Sequence, residues 1–501
     1  MSRRYSIWKL GYKPMNILRI ENDYSYLLTE DTRLREKLWT ALRFKTRDYF
    51  HSPLYRQKLW DGYIDFLSKK TGRFLTGLLP EVRLALEYLG VEYKTADNRR
   101  ITPFLHEKID SQFLNQWLPP WREGKPITLD AGQVDLINQA LTYQRGIVKA
   151  PTGAGKTYIL LALIKSLPPG TPILFLANRK MVLDRNYDEM KDWGVENLGR
   201  LDGEVHDPNI ITFALVQSIH HLEPLLPKFK ALFVDEVHMM MGDQCIDTYK
   251  KLKGCGIRIC MSATPFKYQL KKRNSKETIE GDKVHKYSVK GYFGAEFKTD
   301  STETGDLRVE HLQTQGRLSP SRCTYHYIDH PHIPYDIYID AVTNGIAQNW
   351  EFHQIVTRLA QSLTGRTLIL VERLSHGDAL NKLIPGSLWV QGKDNKKTRT
   401  HVVEQLQKAT GNVIAIATVG IFNAAVNVFV HNLINAAGGK AEHDIIQRIG
   451  RGLRTAEDKD ILNYYDFIFR INTYLEDHSR KRIRILKEEG HEVIIKDVID
   501  F

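Results

Sequence analysis

Residues 146–167 read "GIVKAPTGAGKTYILLALIKSL". A short apolar run leads into a glycine-rich turn, and an apolar pattern at helical spacing follows. That order predicts strand, loop and helix. Within it, Ala150 to Thr157 fits a phosphate-loop pattern, with Ala150 where the strict form has glycine. Gly153 and Gly155 let backbone N–H groups turn towards an anion. The helix beginning near Lys156 adds its positive N-terminal end. Pro151, Thr152, Gly153, Ala154 and Gly155 are the expected cradle. Lys156 is expected to reach the β- and γ-phosphates of a nucleoside triphosphate, and Thr157 to ligate Mg²⁺. The loop alone does not separate a kinase or GTPase from a transporter or a DNA motor.

The 501 residues leave room for about three domains. A 42% hydrophobic and 26% charged composition is ordinary for a soluble globular chain. No apolar run approaches the ~20 residues that cross a bilayer. The basic start has no apolar run after it, so no secretory signal is expected and the cytoplasm is the expected compartment. The four cysteines, Cys245, Cys255, Cys260 and Cys323, lack CxxC spacing, which predicts reduced, buried thiols. Net charge is +12, and residues 1–100 hold 20 Lys+Arg against 12 Asp+Glu. The first fifth of the chain therefore carries +8 of that excess, which favours a polyanionic partner.

Four regions follow. Residues 1–110, rich in aromatics and arginine, predict a small α+β N-terminal domain that binds nucleic acid. "TADNRRITP" reads as a polar connector near its end. In residues 111–310, the strands "RGIVKA", "PILFLA", "ALFVD" and "IRICMSA" alternate with helix-length segments, the signature of a parallel sheet. Residues 311–470 repeat the style with "TLILV", "SLWV", "VIAIAT" and "LINAA". Residues 471–501 form a tail of helix and strand, expected to pack back on the core. Residues 267–291 read as a solvated hairpin or as a DNA-contacting insertion using Lys271, Lys272, Arg273 and Lys276.

Downstream residues narrow the reading of the loop. "LFVDEVH" ends an apolar strand in Asp235 and Glu236. Asp235 is expected to hold Mg²⁺ and Glu236 to activate the attacking water. His238 either links the nucleotide site to the second lobe or caps the turn. "MSATP" offers Ser262 and Thr264 as hydrogen-bond partners for Asp235 and His238, able to sense the γ-phosphate. "QRIGRGLR" carries Gln447, Arg451 and Arg454, the two arginines sharing one face if the segment is helical. A kinase has no need of a remote arginine pair. A two-lobed motor does, because arginines from the second lobe complete the site.

"APTGAGKT", "DEVH", "SAT" and "QRIGRGLR", in this order, resemble motifs I, II, III and VI of superfamily 2 helicases. The resemblance spans about residues 125–470 and implies two tandem RecA-like lobes with ATP between them. It also implies Gln133 of "LDAGQVDLINQAL" as the reader of the adenine edge. Asn178 and Arg179 of "PILFLANRKMVLDRNYDEM" fall in motif Ia, on the DNA backbone, with Gln217 and Ser218 towards DNA as well. "TLILVERLSHGDAL" and "LWVQGKDNKKTRT" resemble motifs IV and IVa. "ATVGIFNAAVNV" departs from motif V, with Ala425 at the glycine position and Asn427 at the acid, while Thr418 remains for a DNA phosphate.

"SPLYRQKLWDGYIDFLSKKTGRFLTGLLPEV" carries Trp60-Asp61-Gly62 with Arg56 and Lys58, and either binds DNA or packs Trp60 over a tight turn. It resembles the N-terminal domain of phage branch-migration helicases of the UvsW type, as does the tail "HSRKRIRILKEEGHEVIIKDV". A T5-like phage is the kind of source this suggests. The resemblance implies ATP-dependent 3′-to-5′ movement on forks, D-loops and four-way junctions; a monomer is expected, although the sequence itself does not show oligomeric state. The rivals are an RNA helicase, a restriction-type duplex translocase, and a binding protein that uses ATP only as a clamp.

Overall fold

The basic N-terminal region folds on its own small core. Its strands are β1 (Asn16–Ile20), β2 (Tyr24–Leu28), β3 (Arg43–Lys45), β4 (Tyr63–Asp65), β5 (Arg73–Leu75) and β6 (Tyr93–Asp97). One sheet runs β5-β2-β1-β6, and β3 and β4 form a separate pair. Helix α1 (Thr32–Ala41) starts where the Asp31 carboxylate accepts the N–H groups of Arg33 and Leu34. The short α2 (Pro53–Arg56) and α3 (Leu79–Tyr88) follow. Leu34 and Leu38 of α1 and Val82 and Leu86 of α3 bury against Leu18 and Ile20 of β1. The "TADNRRITP" connector is corrected only at its start: Thr95–Asp97 lie in β6, hydrogen-bonded parallel to Leu18–Ile20, while residues 98–103 run without helix or strand. An edge strand takes its order from backbone pairing, so polar side chains do not exclude it.

The chain is described from a computed structural model covering residues 16–46, 49–151, 153–266, 268–273, 276–299, 312–313, 318–334, 337–391, 394, 396–409, 411–420, 429–439, 449 and 461–496.

The first large sheet contains β7 (Arg145–Lys149), β8 (Ile173–Ala177), β9 (Leu198–Leu201), β10 (His206–Asp207), β11 (Ile211–Leu215), β12 (Ala231–Asp235) and β13 (Ile257–Ser262). Their order is β10-β9-β11-β8-β12-β13-β7, parallel except for β10. Five helices accompany it: α4 (Ala131–Tyr143), α5 (Lys156–Lys165), α6 (Lys180–Asp192), α7 (Asp243–Lys251) and α8 (Lys283–Phe293). Every residue from Ile159 to Ile164 in α5 is buried, which explains its apolar run. Each large apolar side chain among them contributes about 1.5–3 kcal/mol. Before α8, β14 (Tyr268–Arg273) and β15 (Lys276–Gly281) form an isolated hairpin.

The second sheet, β18-β19-β17-β20-β21-β16-β22, is wholly parallel. Its strands are β16 (Ser321–Ile328), β17 (Arg366–Val371), β18 (Leu388–Val390), β19 (Val413–Thr418), β20 (Asn432–Asn435), β21 (Leu462–Phe469) and β22 (Glu492–Lys496). The tail is part of this lobe, since β22 is its edge strand and pairs with β16. The architecture is thus α/β: two tandem RecA-like lobes behind a small α+β unit.

The N-terminal unit is clamped to the first lobe. Arg258 Nη2 lies 2.5 Å from Asp23 Oδ1, and Arg145 donates to the Asn22 carbonyl. Lys290 of α8 pairs with Glu81 at 2.5 Å. A Cβ on Gly77 would collide with the Lys290 carbonyl oxygen, so only bare backbone fits there. All four cysteines are free and buried. No helix among the described residues is long and apolar enough to cross a membrane.

Candidate nucleotide site and the surfaces around it

Parallel strands bring the motifs to one edge. Ser262 at the end of β13 lies opposite Lys149 of β7, and Asp235 of β12 lies opposite Met261. β8 and β11 end just before Asn178 and Gln217 on the same side. The carboxyl ends of such a sheet are where ligands usually bind.

The phosphate loop turns through two left-handed glycines, Gly153 at φ +92° and Gly155 at φ +75°. Gly155 caps α5, and a Cβ there would collide with Gln133 Nε2. Gln133 is buried and engaged at both ends. Its Nε2 donates to the Ala154 carbonyl at 2.8 Å, and its Oε1 accepts from the Asp130 N–H at 2.9 Å. The structure therefore sets Gln133 against the loop backbone and the start of its own helix. Lys156 Nζ donates to the Ala150 carbonyl at 3.2 Å and stands 4.0 Å from Glu236 Oε1. Pro151 and Thr157 flank the loop, both half-buried, and Ala154 is buried. Thr152 lies outside the described residues.

Glu236 sits in the left-handed region, at φ +50° and ψ +52°. A non-glycine residue there costs of order 1–3 kcal/mol and marks functional turns. Asp235 is buried at 4% exposure. Burial, and then the neighbouring charge of Glu236, raise its carboxyl above the usual range, although Lys156 and Arg185 pull the other way. Arg185 of α6 reaches to 3.7 Å from Asp235 Oδ2.

A short relay holds Glu236. Ser262 Oγ donates to Glu236 Oε2 at 3.1 Å, accepts the Thr264 N–H at 3.1 Å, and meets His238 Nδ1 at 3.0 Å. The single hydroxyl proton goes to Glu236, so His238 Nδ1 must carry the proton it gives to Ser262. The motif alone pairs Ser262 with Asp235 and His238. In the structure it meets His238, but its other partner is Glu236.

Asn178 Nδ2 and Arg179 Nη2 approach the Met239 sulfur at 3.4 and 3.8 Å. Gln217 Nε2 donates to the Asn178 carbonyl at 3.1 Å. The three residues therefore gather beside the turn that carries the acids, joined by Met239. Neither Met239 nor Arg185 stands out in the sequence. A thioether and a mid-helix arginine carry no motif of their own. Thr418 is the half-buried last residue of β19.

On the N-terminal unit, Arg56 and Lys58 are exposed, while Trp60 is half-buried and donates from Nε1 to the Tyr63 carbonyl at 2.7 Å. Lys271, Lys272 and Arg273 lie on β14, with side chains outside the described set. Ala425, Asn427, Gln447, Arg451 and Arg454 also lie outside the described residues.

Residues 126–267 match the family model "Type III restriction enzyme, res subunit". The chain is 22% identical over 456 residues to the ATP-dependent DNA helicase uvsW of Enterobacteria phage T4, covering 85% of each chain. The crystal structure of T4 UvsW aligns over 97% of this chain and 99% of its own, at 19% identity and TM-score 0.46. The ATP-dependent Type ISP restriction-modification enzyme LlaBIII, bound to DNA, shares the fold at TM-score 0.55 and 13% identity, over 84% of this chain and 34% of its own. In motif order and in its relatives, the chain is similar to superfamily 2 helicase-type ATPases, the UvsW protein of phage T4 among them.

Proposed function

We propose that this protein is a DNA-stimulated motor that remodels forks, D-loops and four-way junctions by branch migration. It moves 3′ to 5′, as a monomer in the host cytoplasm, during phage recombination, repair or replication restart. The observation that carries the hydrolytic half is the strand-end constellation in which Lys156, Asp235, Glu236, His238 and Ser262 converge.

Lys156 exchanges its backbone contact for the β- and γ-phosphates of ATP. The site suits a magnesium ion: two adjacent carboxylates, one buried, face Lys156 and Arg185 no closer than 3.7 Å. Thr157 and Asp235 would hold the ion, and no dedicated cage is needed when phosphates complete the shell. When bound, the ion offsets phosphate charge. Glu236 Oε2 is pinned by Ser262, which leaves Oε1, on the Lys156 side, to take the proton of the attacking water. Gln447, Arg451 and Arg454 complete the site from the second lobe. Closing that cleft couples hydrolysis to motion.

DNA as the track is supported by the likeness to the ATP-dependent DNA helicase of phage T4 and by the +8 balance of residues 1–100. Asn178, Arg179, Gln217 and Thr418 would grip backbone phosphates, as would Lys271, Lys272 and Arg273. ATP hydrolysis measured with single-stranded, duplex, forked and four-way DNA and with RNA tests this. Branched DNA should stimulate most, and full stimulation by RNA alone defeats the reading. Glu236→Gln should retain ATP binding and lose roughly 10²–10⁴ in hydrolysis. Branch migration by that variant would undo the mechanism.

A further inference from the structure

Helix α2 ends in an unusual way. Lys58 N–H bonds to the Tyr55 carbonyl and Leu59 N–H to the Leu54 carbonyl, both at 2.9 Å. This is a Schellman closure, whose left-handed position normally takes glycine. Here that position is Lys58, at φ +58°. The turn holds Leu59 72% exposed, beside Phe50 at 50%.

A cleft opens next to it, walled by Phe50, Tyr55, Leu59 and Trp60 and rimmed by Arg56 and Lys58. Tyr49 packs edge-on against Phe50 and Tyr55, with ring centres 5.7 and 4.6 Å apart, so the walls are braced. Arg56 Nε donates to the Phe50 carbonyl at 3.1 Å, which fixes its guanidinium at the rim. The one acid in the lining, Asp61, is paired with Arg43, so its charge is offset. What remains is an apolar, aromatic floor beneath two exposed cations.

We propose that this cleft binds unpaired nucleobases, and so marks where the single-stranded arm of a DNA junction leaves the duplex. This rests on the DNA reading above. An apolar floor wants flat apolar faces, and the rim wants negative charge. A nucleotide supplies both, its base stacking on the rings and its phosphate lying by Arg56 and Lys58. Paired bases hide their faces in the stack, so the occupant is single-stranded. The cleft lies between β3 and β4. Phe44 of β3 packs on Tyr287 of α8 with ring centres 4.4 Å apart, which ties this part of the unit to the first lobe, so the cleft travels with that half of the motor.

The test places 2-aminopurine in the unpaired arm of a fork, next to the duplex, and follows its fluorescence on adding the full-length protein. The wild type should change the emission. Phe50→Ala with Leu59→Ser should abolish that change and weaken fork binding on the order of tenfold, with blunt-duplex binding much less affected. Lys58→Gly serves as the folding control. It relieves the left-handed lysine, so its unfolding temperature should hold or rise while fork affinity falls. Equal loss on fork and blunt duplex would overturn the proposal, as would unchanged emission in the double variant. So would a double variant that altered only self-association, seen by sedimentation. Wild-type ATPase that no DNA stimulates defeats the motor reading itself. A silent probe beside strong wild-type stimulation by DNA defeats the cleft alone.

Discussion

Each lobe buries an aspartate on a strand, and the two are treated differently. Asp466, on β21 of the second lobe, is fully buried. Arg482 bonds it through Nε and Nη2, both at 2.8 Å, while Tyr464, Asn435 and its neighbour's N–H fill the remaining positions. Arg482 also donates to the Gly439 and Phe467 carbonyls and to the Ser479 hydroxyl. Asp235, on β12 of the first lobe, receives the Glu236 N–H at 2.9 Å and a guanidinium at 3.7 Å, with a second carboxylate alongside. A saturated buried charge is architecture. A buried charge left short of cations is, on the function proposed above, a place for one.

The sharpest way to break this comparison is to make the same substitution twice. Asp466→Asn leaves Arg482 buried without its counter-charge, which should cost about 3–5 kcal/mol. The loss should appear as faster hydrogen exchange across β16, β20 and β21. Asp235→Asn should cost nothing in stability, since it removes a carboxylate the fold does not satisfy, and should abolish hydrolysis. If Asp235→Asn unfolds the first lobe, or Asp466→Asn is silent, the contrast is wrong.

These two aspartates also mark how far the sequence can be read. Asp235 is legible because its neighbours in the chain are its neighbours in the chemistry: an apolar strand, two acids and a histidine within one short run. The phosphate loop is legible for the same reason. Asp466 is not, because its meaning lies in Arg482, one helix later, and in Asn435 from another strand. "LNYYDFIF" shows only one acid in an apolar run. The clamp of Asp23 by Arg258 is hidden likewise, since the partners are 235 residues apart. Ser262 can be found from its motif, but its acidic partner cannot. Strand order decides which acid a hydroxyl meets, and a short motif does not carry strand order.

A smaller effect sharpens the role of the relay. Ser262→Ala frees Glu236 Oε2 without touching Lys156 or the loop. The turnover of ATP should fall about ten- to a hundredfold, roughly 1.4–2.7 kcal/mol of barrier. KM for ATP should hold, because the hydroxyl orients the base and does not bind nucleotide. Equal changes in both constants would mean that Ser262 only supports the turn, and the relay would then be as structural as the Asp466 network.

The smallest effect lies in pH. Burial and the Glu236 charge raise the Asp235 carboxyl in the folded protein above its ordinary value of 3.8. The folded chain therefore holds that proton more tightly than the unfolded chain does. At acid pH both states are protonated and nothing is lost. As pH rises past 3.8, the unfolded chain releases its proton first, and the wild type loses stability until the folded carboxyl is also ionised. The amide introduced by Asp235→Asn does not titrate. The stability advantage of that variant over wild type should thus be least in acid, grow with pH and then level off. Denaturant unfolding of both proteins across that range, without added magnesium, reads it directly. An advantage that shrinks as pH rises would mean that ionised Asp235 is well satisfied, and the difference between the two buried aspartates would disappear.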